Sequence, residues 1–132
     1  MHPDDLPDPG SVLRHERTFT TDDVRAFADV SGDRGDHHEV PDDEGRLLVH
    51  GLLTATLPTK IGGDLDVLAR EMTYEFLRPV YTGQRIVCEV TVTDVTRRDD
   101  RAEMTADIVC YRGDADGEEL VMTGGFEGVV LE

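Results

Sequence analysis

Between Leu47 and Ile61 apolar residues recur on almost every side of a would-be helix, and beyond Gly63 the chain switches to alternation. Leu48, Leu52, Ala55 and Thr59 fall on one side of that helix and Val49, Leu53 and Leu57 on another. A helix apolar on most sides is one surrounded by protein. Downstream, Met72, Tyr74 and Phe76 alternate with Thr73, Glu75 and Leu77, and Ile86, Cys88, Val90 and Val92 alternate with Glu89, Thr91 and Thr93. Ala102, Met104, Ala106, Ile108 and Cys110 do the same against Glu103, Thr105, Asp107 and Val109, and Leu120 to Leu131 gives a last, glycine-interrupted strand. Period two with one polar side predicts antiparallel strands solvated on one face. With an early strand over Ser11 to Phe19, the class is α+β: a long antiparallel sheet of about five strands wrapped around a central buried helix, whose whole circumference it covers.

The first third of the chain reads differently. Thr20-Thr21-Asp22-Asp23 offers a threonine cap with an acid three positions on, and Val24, Phe27 and Ala28 follow at i, i+3 and i+4. This predicts a short amphipathic helix to about Val30, broken by Ser31-Gly32-Asp33. Arg34 to Arg46 is a polar loop. Gly51 lies near the start of the apolar helix, and Pro58 should kink or end it before Gly62-Gly63, since an interior proline costs about 3 kcal/mol. Tyr81-Thr82-Gly83, Arg97 to Arg101 and Gly113 to Gly117 are turn-like. Residues 1–10 (MHPDDLPDPG) form an irregular acidic arm, flexible or ordered, and residues 11–132 a single domain.

Acidic residues number 29 against 13 basic ones, a net charge of −16, with Lys60 the lone lysine. Such a field repels nucleic acid and anionic membranes, and no run approaches the ~18–20 apolar residues that span a bilayer. It also repels an anionic substrate, unless molar salt shrinks the Debye length to about 3 Å. The composition therefore predicts a soluble, cytoplasmic protein of a high-salt cell that unfolds on dilution. A disordered acidic chain is the competing reading, and the hydrophobic content of 38% and the clear strand patterns speak against it. Met1-His2-Pro3-Asp4-Asp5 lacks the basic and apolar regions of a secretory signal. Cys88 and Cys110 are in phase with the apolar sides of strands, at no zinc or redox spacing, and read as buried thiols.

Three segments carry chemistry. Ser31-Gly32-Asp33-Arg34-Gly35-Asp36-His37-His38 sets an acid and a histidine five apart, Val49-His50-Gly51 opens the apolar helix, and Phe76-Leu77-Arg78-Pro79-Val80-Tyr81-Thr82-Gly83 enters a strand. In this order and at these separations they resemble the MaoC-type family of (R)-specific enoyl-CoA hydratases, over residues 18 to 131. That family's pattern runs Ser-Gly-Asp, any residue, Asn-Pro, an aliphatic residue and His. An aliphatic residue, His and Gly follow at the helix, with a serine one and a half turns along it, here Thr56. The resemblance implies the hotdog fold and a homodimer with sites lined by both chains. It also implies an acyl-CoA thioester as substrate, and no metal or cofactor beyond the coenzyme A that is part of that substrate. In the family the reaction links fatty-acid oxidation to polyhydroxyalkanoate synthesis or serves other thioester pathways. The chain departs from the pattern where Gly35-Asp36 replaces Asn-Pro and His37 the aliphatic residue. Gly35 can take the left-handed conformation that Asn tolerates. Loss of the proline should loosen the loop, and Asp36 would add a carboxylate favouring protonated histidine.

On this resemblance Asp33 and His38 are the catalytic pair. Hydrating an enoyl thioester delivers water to C3 and a proton to C2. An imidazole is suited to taking water's proton at neutral pH, and a neighbouring carboxylate can hold the same water and help return the proton. The Gly51 amide, at a helix start, is the expected oxyanion donor, because glycine lets a thioester approach the backbone. Thr56 would support the site through its hydroxyl or pack in the helix, and His50 would contact substrate, pack or cap the helix. Arg78 would meet a coenzyme phosphate or serve as an ordinary surface arginine, and Arg97 and Arg98 read as turn charges or as a phosphate contact. Two other functions compete. Against a hotdog thioesterase counts the lack of Asp or Glu from Gly51 to Ile61. For a non-catalytic acyl-thioester-binding subunit speaks the altered Gly35-Asp36-His37 segment.

Overall fold

In the computed structural model, residues 2–114 and 117–131 are described. Along the chain come β1 (Val12–Thr18), α1 (Thr21–Ser31), α2 (Asp36–Glu39), α3 (Gly51–Thr54), α4 (Thr56–Asp64), β2 (Leu68–Phe76), β3 (Arg85–Arg97), β4 (Arg101–Asp114) and β5 (Gly117–Leu131). The strands form one antiparallel sheet in the order β1-β3-β4-β5-β2, and its apolar face holds α3 and α4. The turn expected within Gly113 to Gly117 includes positions 115 and 116, outside the described residues. Ile86, Cys88, Val90, Ile108, Cys110 and Met122 supply the sheet side of the core, and Leu53, Leu57 and Ile61 the helix side. No helix among the described residues is long and apolar enough to cross a membrane.

The start of α1 follows the sequence closely. Thr20 accepts from the Asp23 amide while the Asp23 carboxylate accepts from the Thr20 amide, a reciprocal cap, and Gly32 ends the helix at φ 77. In the N-terminal arm Pro3–Asp5 form a 3-10 turn, Leu6 is buried in the core, and the Gly10 amide donates to the Val92 carbonyl. Cys88 and Cys110 face each other across β3 and β4, both fully buried and free of a disulfide. A hydrogen bond with Cys110 and burial push the Cys88 thiol well above its ordinary range.

Three expectations change. The apolar run does not become helical at Leu47. Leu47 to His50 is extended, bridged to Tyr81 through Leu48, and the helix starts at Gly51. Of the two outcomes expected at Pro58, an end and a kink, the helix takes the second, displaced upstream. It breaks one turn earlier, at Ala55, and continues to Asp64. Proline lacks the N–H that would bond Thr54, four residues back, and its ring crowds that carbonyl, so the irregularity appears upstream. Hydroxyls meet carbonyls on either side of the break: Thr56 Oγ1 donates to Leu53 O at 2.5 Å and Thr59 Oγ1 to Ala55 O at 2.8 Å. Finally, one chain does not cover the whole helix or the apolar side of β2. Leu52 is 61% exposed, Met72 54% and Phe76 52%, because β2 is an edge strand.

The glycines of β5 set how closely β2 approaches. A Cβ on Gly124 would lie 2.1 Å from the Thr73 carbonyl oxygen, and one on Gly128 2.5 Å from that of Leu68. Gly124→Ala is expected to destabilise the protein by about 1–3 kcal/mol through overpacking. Gly63→Ala, in open space on α4, should leave the thermal midpoint unchanged or raise it, since alanine is worth up to ~1 kcal/mol over glycine in a helix. Equal midpoints for the two variants in calorimetry would remove this account of the β2–β5 contact.

Candidate active site

The loop between α1 and α2 is held by its own short-range bonds. The Asp33 amide donates to Ser31 Oγ at 3.0 Å, and the Gly35 amide to Asp33 Oδ1 at 3.2 Å. Asp33 Oδ2 is thereby turned toward His38 Nε2, 3.6 Å away. His38 is 5% exposed, and its Nδ1 lies 2.7 Å from the Leu48 carbonyl. A carbonyl only accepts, so Nδ1 carries the proton, and in the neutral ring Nε2 is left as a lone pair facing the carboxylate. A gap of 3.6 Å is too wide for a direct hydrogen bond. It lets one oxygen sit about 2.8 Å from both atoms.

His50 lies beneath this pair. Its ring stacks on His38 with centroids 3.6 Å apart and planes 15° apart, and its Nε2 donates to the Asp33 carbonyl at 3.0 Å. Phe27 packs on it at 4.8 Å. His37 meets the His38 ring edge-on at 4.1 Å. Gly35 is not left-handed as expected. At φ −54 it is extended, and its missing side chain instead makes room for His37, whose Cε1 would lie 2.9 Å from a Cβ there. Asp36 begins α2 and is exposed, and the carboxylate paired with His38 is that of Asp33.

A cavity of about 650 Å³ opens beside Asp33 and His50, which line it with Gly51, Thr54, Phe76 and Arg78, whereas His38 is not among the lining residues. Gly51 is the first residue of α3, where an amide has no carbonyl one turn back to bond. The Phe76 ring rests on it: a Cβ at Gly51 would lie 2.8 Å from Phe76 Cε1. Thr56 is not among the lining residues. Its hydroxyl is committed to the Leu53 carbonyl, and Thr54, which sequence reasoning passed over, lines the cavity instead. Arg78 is the one lysine or arginine in the lining, with one Nη 2.7 Å from the Leu120 carbonyl. Arg97 and Arg98 lie elsewhere, bonded to Leu6 O and Glu103.

Asp33, His38 and His50 bring a carboxylate oxygen and two ring nitrogens within 4.8 Å of one another, the spacing of a possible metal site. The two imidazoles are nearly parallel, however, so their in-plane lone pairs lie in planes about one stacking distance apart, and one ion cannot lie in both. Each ring also spends one nitrogen on a carbonyl.

A profile of the Thioesterase superfamily matches residues 48–110. The mitochondrial 3-hydroxyacyl-[acyl-carrier-protein] dehydratase FERN of Solanum lycopersicum is 30% identical over 124 residues, 86% of this chain and 75% of that protein. The mitochondrial 3-hydroxyacyl-[acyl-carrier-protein] dehydratase of Arabidopsis thaliana is 26% identical over 129 residues, 92% of this chain and 76% of that one. The structure of the (R)-hydratase from A. caviae involved in PHA biosynthesis matches with a TM-score of 0.79 and 27% identity, covering 97% of this chain and 99% of that chain. The MaoC-like dehydratase from Rhodospirillum rubrum shares the fold, with a TM-score of 0.75 at 21% identity over 100% of this chain and 97% of that chain. A five-stranded antiparallel sheet with α3 and α4 on its apolar face, with these likenesses, is the hotdog fold. Within that fold, the chain belongs to the MaoC-like hydratase and dehydratase family.

The Thr56 hydroxyl bond has a measurable consequence. Thr56→Val should lower stability by about 1 kcal/mol, the worth of one such bond, while KM for a thioester substrate stays within about twofold of wild type. A large rise in KM with unchanged stability would instead return Thr56 to the substrate's surroundings.

Proposed function

We propose that this protein reversibly hydrates trans-2-enoyl-CoA to (R)-3-hydroxyacyl-CoA, and the observation that carries the reading is the 3.6 Å gap between His38 Nε2 and Asp33 Oδ2. One water held by both is activated when Nε2 takes its proton. Its oxygen bonds to C3, the π electrons move toward the thioester oxygen, and the Gly51 N–H meets the charge that grows there. The proton then passes from the His38–Asp33 pair to C2 on the same face, so the pair ends as it began. The (R) configuration comes from the likeness to the A. caviae (R)-hydratase. Coenzyme A enters as part of the substrate, and no further cofactor has a role in these steps. Arg78, the cation of the cavity lining, is suited to the coenzyme's phosphates in a chain of net charge −16. The apolar hollow between Pro58, Met72, Tyr74 and Phe126 has the chemistry to take an acyl tail.

The Thioesterase superfamily match keeps hydrolysis as the second reading. Its weakness is the helix: the single acid from Gly51 to Asp64 is Asp64, at the exposed end, paired with Lys60. Loss of enoyl-thioester absorbance in molar KCl, without release of free CoA, is the expected result. His38→Ala and Asp33→Asn should each lower kcat by about 10²–10⁴-fold, the usual worth of a general acid–base group. Release of free thiol at rates matching substrate loss would replace the hydratase reading with the thioesterase one, and binding with neither reaction would leave a non-catalytic subunit.

Salt adaptation and pairing belong to the same proposal. The exposed, apolar β2 edge (Leu68, Met72, Phe76) suits a second copy of the chain. On dilution from molar to millimolar KCl the circular-dichroism signal should collapse as repulsion between carboxylates is unscreened. Light scattering in molar KCl should give a dimer mass. A fold indifferent to salt would dismiss the halophilic part, and a fully active monomer the dimer.

A further inference from the structure

The three groups of the proposed reaction come from separate stretches of chain: Asp33 from the loop after α1, His38 from α2, and the Gly51 amide from the start of α3. We infer that His50 is the positioning residue that keeps these three in register, an inference that rests on the hydratase reading of the same site. His50 is 3% exposed and touches each of them. Its Nε2–H holds the Asp33 carbonyl at 3.0 Å, its ring face supports His38 at 3.6 Å, and it immediately precedes Gly51. Its own carbonyl accepts from the Leu53 and Thr54 amides at 3.0 and 3.1 Å, so it also forms the first turn of the helix that presents Gly51.

Packing alone does not explain a histidine here. Nδ1 is buried without a hydrogen-bond partner among the described residues, which costs free energy that a phenylalanine or leucine would avoid. The side chain is worth that cost only if the opposite nitrogen does something an apolar ring cannot. What it does is fix the main chain that carries the Asp33 carboxylate. The carboxylate itself is 57% exposed and otherwise held by the Gly35 amide at 3.2 Å and, through its own backbone N–H, by Ser31. Without the His50 bond the Asp33 backbone is tied from one side only, and the 3.6 Å opening that fits one water is free to widen. A misplacement of about 1 Å at a reacting group costs on the order of 100-fold in rate.

Two variants separate the ring from its N–H. His50→Phe keeps a ring against Phe27 and His38 and removes the donor, whereas His50→Gln places an amide N–H near the position of Nε2 and removes the stack. With an enoyl thioester in molar KCl, His50→Phe should lose kcat by about 100-fold with KM changed less than about threefold and the thermal midpoint close to wild type. His50→Gln should recover roughly tenfold or more of that loss, even with a lower midpoint. A packing residue gives the opposite order, with His50→Phe at full kcat and His50→Gln impaired, and that order overturns the inference. Should His50→Phe fail to fold, His50→Leu carries the same comparison. Wild-type protein that hydrates no enoyl thioester sinks the hydratase reading, whereas active wild type with a fully active His50→Phe sinks only the role of His50.

Discussion

The main chain from Leu47 to His50 is the tie on which the site depends. Leu47 exchanges bonds with Thr82, through amide to hydroxyl and amide to carbonyl, each 3.0 Å. The Leu48 amide bonds the His37 carbonyl, the Leu48 carbonyl takes the His38 ring N–H, and the Val49 amide bonds Val80. One extended stretch therefore fastens the segment after β2 to α2 and delivers the chain into α3. It is buried at Leu47, Val49 and His50, so these bonds form away from competing water. The β2 end reaches this place because the glycines of β5 let β2 lie close, which brings Phe76 against Gly51. The β2–β5 approach, helix start and imidazole orientation are thus one connected arrangement.

Much of this was readable in the residues, and the failures have physical causes. Alternation marked β3 and β4 because each has a wetter face and a dry face, and the Thr20–Asp23 cap marked α1 because that signal is local. The apolar run from Leu47 misled because an extended segment buried on both sides shows the same unbroken hydrophobicity as a buried helix. The exposure of Met72 and Phe76 was not visible because strand order within the sheet is a long-range property, and the pattern looks alike in edge and central strands. In the site, Asp33 and His38 were placed together by spacing and likeness. The stacking of His50 on His38 could not be, since the two meet through folding of a loop with no periodicity. Thr56 follows from the family pattern, which sets a serine one and a half turns along a regular helix, and the break at Ala55 spoils that count.

The two imidazoles show how a protein assigns protons without adding charge. Each points one nitrogen at a backbone carbonyl, which admits a single tautomer of the neutral ring. His38 thereby presents its bare nitrogen to the carboxylate, and His50 presents an N–H to the loop. The surrounding surface is dominated by acids, several clasped by arginines: Arg34 bonds both Asp29 and Glu39, and Arg46 bonds Asp42 while lying over the Tyr81 ring. These exposed pairs organise the loop geometry more than they stabilise the fold.

The facing thiols of Cys88 and Cys110 acquire a meaning from the kind of molecule the cavity suits. An α,β-unsaturated thioester is a Michael acceptor, and the species that attacks it is the thiolate. A chain that handles such an electrophile risks alkylating itself at any ionised, reachable sulfur. Here both sulfurs lie in the core between sheet and helix with no exposed surface, and Cys88 is held in its protonated form by its neighbour and by burial. On the proposed hydratase function, the interior thus shelters the chain's two thiols from the enoyl thioester.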